Sequence, residues 1–543
     1  MRWIVSLSQE IAGRDPAPWD LRSRDVFPWR DTFGGFVRGE WPGPVRAPES
    51  AEAWLAAVAG AEGSFSVVSR VAEDEWIAAT DARRSFPLFW TWRDGRVVVT
   101  DDARRAREIG GGGALDPVAV AEARCGGFVL GHRTLDPDVF ALRAGEALRV
   151  RDGERGSEVR VISTADLGRT QPVDTGVSRL DRLDALDVRM QRMAARTFES
   201  LGGRRAVIPL TGGHDSRLLA ILARRLGYEN VVCVATRQAR HWETTIAREV
   251  AERLGFPLLH FGAQPARWVE WYRSEERRRY CREADGLSSA PWLLECLALS
   301  DLRSSRVIGA PDRAVILPGH FAGLVARDVP VDGPGGDPEK DAVQNVIWRR
   351  YCLNPWPRRG GVAEELRSRV RESVREFLPA DGEADERLRR ALQAWEWREY
   401  STKRVGAAVR AYEFFGFEWR LPFLDRELRE FWSTATREER HERDLYQDYV
   451  RRAGLPWRLP LPNPGVVPVS RRRPRRWARR FGVLGAARWA RRWMRRWDGQ
   501  GIRRGDGVGW DEVIPGSVVR RTYTGMEGVE SYLVRDWLEE VGA

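Results

Sequence analysis

The chain has 543 residues, 43% of them hydrophobic and including 25 Trp and 19 Phe, which is enough apolar material for two or more buried cores. Its net charge of +11 rests almost wholly on arginine, with lysine only at Lys340 and Lys403, and a basic balance of that kind names no partner by itself. Cys125, Cys233, Cys281, Cys296 and Cys352 stand singly without metal-ligand spacing, which argues against a disulfide framework or a zinc cluster; no apolar run reaches the length of a membrane span or a signal peptide, so a soluble cytoplasmic chain with reduced thiols is expected.

Residues 1 to 165 read as short strands and turns. Gly63-Ser-Phe-Ser-Val-Val68, Glu75-Trp-Ile-Ala-Ala79 and Arg96-Val-Val-Val-Thr100 are rich in β-branched and aromatic residues and bounded by turn formers such as Asp94-Gly95, which predicts a mainly antiparallel layer. A polar linker, Ser163 to Thr175, follows. Leu180, Leu183, Leu186, Met190, Met193 and Thr197 then recur at the spacing of a helix with one buried face.

The most informative stretch is Ala206-Val-Ile-Pro-Leu-Thr-Gly-Gly-His-Asp-Ser-Arg-Leu-Leu219, an apolar run broken at two glycines and restarted at once with helical spacing. It predicts a strand, a tight loop and a helix whose inner face is Leu218, Leu219, Leu222 and Leu226. The free N–H groups and positive dipole end of that helix suit an anion in the loop. It is not the loop ending in Gly-Lys-Ser/Thr, because Asp215 and Ser216 follow the glycines. Val231 to Ala235, Glu243 to Leu254 and Pro257 to Phe261 continue as strand, helix and strand, the alternation of a doubly wound parallel sheet that takes its ligand at the carboxyl ends of its strands. Ala314 to Leu317 is a further buried strand, running into a second glycine loop, Gly319-His-Phe-Ala-Gly323. A Pro/Gly/Asp-rich break spans Val331 to Asp341, helical patterns run to Arg410, and Arg471 to Trp497 is rich in arginine and tryptophan.

Thr211-Gly-Gly-His-Asp-Ser216 resembles the Ser-Gly-Gly-x-Asp-Ser pyrophosphate loop of ATP pyrophosphatases, and Arg420-Leu-Pro-Phe-Leu-Asp425 resembles the Arg-x-Pro-Phe-Leu-Asp motif of the asparagine synthetase-like family. Gly63-Ser-Phe65, Asp81 to Trp90, a hairpin and Phe140 to Glu146 are similar, in order, to that family's glutaminase domain. The resemblance implies two domains. Residues 1–165 form a degenerate glutaminase-like α+β domain, an antiparallel sandwich of the N-terminal-nucleophile type. Residues 176–543 form an α/β doubly wound ATP-pyrophosphatase domain with a helical C-terminal part and the basic segment 471–497. Arg2 replaces the family's nucleophilic cysteine, so glutamine hydrolysis is not expected.

The same resemblance assigns roles. Thr211, Gly212, Gly213, Asp215, Ser216 and Gly319 would hold the ATP pyrophosphate, the backbone of Val234, Ala235 and Thr236 would read the adenine, and Asp215 would ligate Mg2+. His320 falls where the family places an acid or a tyrosine as base, and a neutral imidazole suits removing a proton from an attacking ammonium; the alternative is a loop histidine bonded to backbone. Gly323 falls where the family places a metal-binding Asp, and Asp328 would replace that ligand if the loop is longer here. In place of the family's lysine near the acyl-adenylate, Thr436 to Arg452 offers Arg437, Arg440, Arg443, Arg451 and Arg452.

The implied activity is an ATP-dependent amide-forming ligase that activates a carboxylate as an acyl-adenylate and passes it to an amine. An intramolecular amine is favoured, as in β-lactam synthetases and lasso peptide cyclases, which would make a ribosomal peptide precursor and its leader-handling proteins partners. Ammonia-dependent amidation of a small or sugar acid, and a catalytically degenerate peptide- or nucleic-acid-binding protein, stand as the alternatives. For Arg420 and Asp425 the simplest expectation is a buried pair around the proline turn. The tryptophans of 471–497 either pack onto the synthetase domain or form a surface for nucleic acid, an anionic membrane or an acidic peptide.

Overall fold

A computed structural model describes residues 19–22, 25–32, 35–42, 48–165, 176–237, 239, 241–262, 265–305, 307–309, 313–329, 347, 350–357, 359–462 and 529–543. Arg2, the 331–341 break and the basic segment 471–497 lie outside the described residues.

Strand-forming residues and turn formers alternate through the first part of the chain, and ten strands result: β1 (Trp19–Asp20), β2 (Trp29–Thr32), β3 (Gly35–Gly39), β4 (Phe65–Arg70), β5 (Glu75–Thr80), β6 (Phe89–Arg93), β7 (Arg96–Thr100), β8 (Phe140–Ala141), β9 (Glu146–Gly153) and β10 (Gly156–Ser163). They make a six-stranded antiparallel sheet in the order β10-β9-β5-β4-β3-β2 and a four-stranded sheet in the order β1-β7-β6-β8, in which β1 and β7 alone run parallel. The period-2 alternation of strands sorts the six-stranded sheet into two faces. Val68, Trp76, Ala78, Leu148 and Val150 share a core with Trp90, Val97 and Val99 of the smaller sheet. Val67, Ile77, Ala79 and Ala147 face the other way, under Trp54 and Val58 of the helix Ala51–Gly60. The antiparallel expectation holds.

Beyond the linker the helix Arg179–Glu199 forms as its spacing predicts, capped by Ser178 and buried at Leu186, Met190 and Met193. Leu180 is 60% exposed, because it sits in the first turn before the helix reaches the core. The next five strands, β11 (Arg205–Pro209), β12 (Val231–Ala235), β13 (Leu258–His260), β14 (Ala314–Ile316) and β15 (Glu418–Trp419), form one sheet in the order β13-β12-β11-β14-β15, with every neighbouring pair parallel. Central strands of such a sheet are covered on both faces, which is why β11, β12 and β14 read as continuous apolar runs. The chain runs outward from β11 to β12 and β13 on one side and reaches β14 and β15 on the other, so the order reverses between β11 and β14. That is where an open parallel sheet leaves a crevice for a ligand. The helix Asp215–Arg225 buries Leu218, Leu219 and Leu222 as expected, whereas Leu226 follows its last turn and is 39% exposed.

The chain thus combines antiparallel sheets in its N-terminal region with a parallel sheet and helices after them. Arg38 pairs with Asp101 at 3.5 Å and with Glu413 at 3.0 Å, while Phe27 and Phe86 pack on Trp419. A π-helix, Glu396–Val405, brings Lys403 to within 2.9 Å of the Val129 carbonyl, 2.6 Å of the Gly131 carbonyl and 2.6 Å of Glu399, all inside the protein. The C-terminal helix Val529–Val541 packs Val534, Trp537 and Leu538 with Phe89, Ala119 and Val129. Arg420 and Asp425 do not pair, contrary to the expectation. Arg420 reaches Glu40 at 2.6 Å and Glu418 at 3.3 Å, and Asp425 reaches Arg196 at 2.7 Å while capping the helix Arg426–Ser433. All five cysteines are free and buried, and among the described residues no helix is long and apolar enough to cross a membrane.

Candidate functional site

The strand β11, the loop Leu210 to His214 and the helix Asp215–Arg225 form the expected strand–loop–helix unit. Thr211 stitches the loop: its N–H donates to Ser216 Oγ at 3.0 Å, and its Oγ1 accepts from the Gly213 N–H at 3.2 Å. Neither Gly212 nor Gly213 takes a positive φ, so the glycines are not required for a left-handed turn. Gly212 is required for space, because a Cβ there would stand 2.6 Å from the Trp242 ring and 3.2 Å from Glu243 Cα, at the start of the helix Trp242–Leu254.

The second glycine loop meets the first. A Cβ on Gly319 would overlap the Ser216 amide and lie 2.8 Å from the Asp215 carbonyl carbon, so the two loops touch backbone to backbone at the N-terminus of the helix Asp215–Arg225. Asp215 completes the junction. Its Oδ2 accepts the Gly323 N–H at 3.2 Å and its Oδ1 accepts the Tyr446 hydroxyl at 2.9 Å. Desolvation raises its carboxyl above the usual range, against those hydrogen bonds and the nearby Arg443 and His320.

Of the five arginines offered by Thr436 to Arg452, Arg443 is the one at this junction. It stands at φ 63°, the residue before the helix Asp444–Gly454, and a side chain on Gly323 would overlap its guanidinium. A cation therefore flanks Gly323. Asp328, the suggested substitute ligand, is buried elsewhere: it pairs with Arg389 at 3.4 Å and Arg437 at 3.8 Å. Among the described residues no group of three or more His, Cys, Asp or Glu side chains gathers to hold a metal. Asp215 is the carboxylate tied to both glycine loops, and one carboxylate together with nucleotide phosphates is an ordinary donor set for magnesium.

His320 is close enough to Asp215 and Glu295 to feel both charges. Burial nonetheless lowers its pKa below the ordinary histidine value, and Nδ1 has no hydrogen-bond partner among the described residues. The backbone-bonded alternative therefore has no support at Nδ1, and burial favours the neutral ring. Three neighbours carried no signal in the sequence reading. Glu295 precedes the helix Cys296–Ser304 and accepts from the Tyr412 hydroxyl at 2.7 Å. His214, in the first glycine loop, is pushed down to about 4 by burial and then by Arg443, Arg217 and Arg451. Arg217 is 2% exposed, and its Nε and Nη2 find no partner among the described residues.

Val234, Ala235 and Thr236 lie at the carboxyl end of β12, beside the loop. The Val234 carbonyl accepts from Leu210 N–H at 2.7 Å and the Ala235 carbonyl from Phe261 N–H at 2.9 Å, leaving each one lone pair for a ligand. Compared with known proteins, the chain matches no family model and no curated sequence.

Proposed function

We propose that the chain is an ATP-dependent amide-forming ligase of the asparagine synthetase type, without glutaminase activity. The observation that carries this reading is the junction of two glycine loops through Asp215, Ser216, Gly319 and Gly323 at the carboxyl ends of adjacent parallel strands. A helix N-terminus faces that crevice and suits the phosphates of ATP.

In the first half-reaction a carboxylate oxygen attacks the α-phosphorus of ATP, the bond to the β-phosphate oxygen breaks, and pyrophosphate leaves into the loop Thr211 to Ser216. Arg443 neutralises charge on the phosphates, and Asp215 would hold a magnesium ion that does the same. In the second, an amine attacks the acyl carbon, AMP leaves, and His320 takes the amine proton. Electrostatics and positioning supply the rate in such transfers, so no covalent enzyme intermediate is needed. Without glutamine hydrolysis, the amine comes with the substrate or as free ammonia; ring closure within a peptide or small acid is the reading we favour. Cytoplasmic placement accompanies it.

The test is acid-dependent exchange of pyrophosphate into ATP by the purified chain. Exchange with one of a panel of acids, and no glutamate from glutamine, is the expected result. No exchange and no pyrophosphate release with any acid, in a folded chain, would favour a binding protein.

A further inference from the structure

Glu295 is half-buried, and nothing balances its charge. It stands just before the helix Cys296–Ser304, yet its side chain makes no bond to that helix's free N–H groups. It turns instead to Tyr412, whose hydroxyl donates to Oε2 at 2.7 Å from a ring that is 0% exposed, so a core residue fixes the direction of the carboxylate. Oε1 bonds to nothing among the described residues and is not one of their enclosed polar atoms, so it is open to solvent. No arginine, lysine or histidine among those residues pairs with Glu295, whereas Asp187, Glu399 and Glu413 each hold a cation at 3.0 Å or less. A half-buried carboxylate without a counter-charge favours a cation beside it.

This carboxylate belongs to the glycine junction. Its charge acts on His320 more strongly than that of Asp215 does. Phe321, next to His320, also packs where a Cβ on Gly406 would stand 3.9 Å from its ring, at the approach to the helix Val409–Phe414 that carries Tyr412. Carboxylate and imidazole nevertheless share neither hydrogen bond nor ion pair, so each keeps its capacity for a third group. The junction is polarised: Asp215 has Arg443 beside it, and Glu295 has no counterpart.

We propose that Glu295 receives the amine substrate as its ammonium ion and holds it against His320. An ammonium is a donor only, and the free oxygen of Glu295 is an acceptor only. The ammonium gives one proton to the imidazole, and the lone pair so freed forms the bond to the acyl carbon. AMP leaves with the electron pair of the C–O bond, and the second proton on nitrogen passes to water. As a substrate site Glu295 rests on the ligase reading; the binding of an ammonium does not, because it needs neither ATP nor acid.

The experiment is a titration of the full chain, labelled with 13C-histidine, followed at the His320 resonance, which is identified by its loss in His320→Gln. Methylammonium chloride should give a saturable shift; tetramethylammonium chloride, which has the charge and no N–H, should not. Glu295→Gln keeps an acceptor for Tyr412 and loses the charge, so it should weaken methylammonium by ~10- to 100-fold in a chain that melts like the wild type, and Glu295→Asp should weaken it less. Ammonium chloride binding more tightly than methylammonium would assign the site to free ammonia, and the reverse order to an amine carried by the substrate. No saturable shift in the wild-type chain, an equal response to tetramethylammonium, or unaltered affinity in folded Glu295→Gln would each overturn the proposal. With any acid that supports pyrophosphate exchange, Glu295→Gln should raise the KM for methylammonium in amide formation by ~10- to 100-fold while leaving exchange, and capture by uncharged hydroxylamine, near wild type. A chain that binds methylammonium at Glu295 but exchanges no pyrophosphate keeps the site and loses the ligase reading. Amide formation whose amine KM is unmoved by Glu295→Gln does the reverse.

Discussion

The Tyr446 hydroxyl donates to Asp215 Oδ1 at 2.9 Å, tying the helix Asp444–Gly454 to the first residue of the helix that follows the first glycine loop. The same short segment brings Arg443 against Gly323. One helix start thus sets both the orientation of the carboxylate and the position of the cation beside it.

Asp215→Ala is expected to abolish acid-dependent pyrophosphate exchange in a chain that stays folded, because the carboxylate joins the two loops. Tyr446→Phe removes one hydrogen bond to that carboxylate and leaves its charge, so exchange should fall by roughly 10-fold. Wild-type exchange in a folded Asp215→Ala chain would remove the loop from the chemistry.

His320 should separate the two half-reactions. Forming the adenylate from an ionised carboxylate needs no base, whereas capture by an amine does, so His320→Ala should retain exchange and lose amide formation by ~10²- to 10⁴-fold. Because burial lowers the pKa of His320, the imidazole is neutral at pH 7 and the amide-forming step should already be on its plateau there. It should decline only below the ordinary histidine range of ~6.5. Equal loss of both half-reactions would assign His320 to shaping the loop.

His214 gives a stability signature. Its folded-state pKa of about 4 lies below the unfolded value of ~6.5, so the unfolded chain binds the proton first as pH falls. The stabilisation is complete above ~6.5 and is lost progressively down to about 4. Melting temperatures measured from pH 7 to pH 4.5 should therefore fall more for the wild type than for His214→Asn. Parallel curves would show that His214 is not held neutral by the fold.

Gly319→Ala tests the contact of the two loops. The added methyl would meet the Ser216 backbone amide, which cannot swing aside as a side chain can. A cost of about 1–3 kcal/mol is expected, with exchange lost more severely than stability; denaturant unfolding and exchange on the same sample measure both. Unchanged exchange would mean the loops part without consequence.

What the residues reveal on their own is what is local. The strand, loop and helix around Thr211 to Ser216 were legible because an apolar run, two adjacent glycines and helical spacing sit within fourteen consecutive residues. The buried strands β12 and β14 were legible for a similar reason. Leu180 and Leu226 were misjudged because periodicity does not say where a helix leaves the core. Arg443 was one of five indistinguishable arginines until a turn at positive φ aimed it at Gly323. Glu295 and the Arg443 that stands beside His214 come from elements far apart in the chain, and no spacing in the sequence brings them together. Arg420 and Asp425 sit in one motif, yet each found a partner in another segment.

The position of Lys403 bears on why the N-terminal region accompanies the parallel sheet. Its ammonium is solvated by two carbonyls of residues 129 and 131 and balanced by Glu399, which in turn accepts the Gly131 amide at 3.0 Å. A chain cut back to its second half would expose or strand that ion pair along with Arg143's partners Glu376 and Glu399. The segments between the N-terminal strands act on the rest of the molecule as a solvent acts on a salt, and a truncated second half would need replacement ligands for its charges before it could fold by itself.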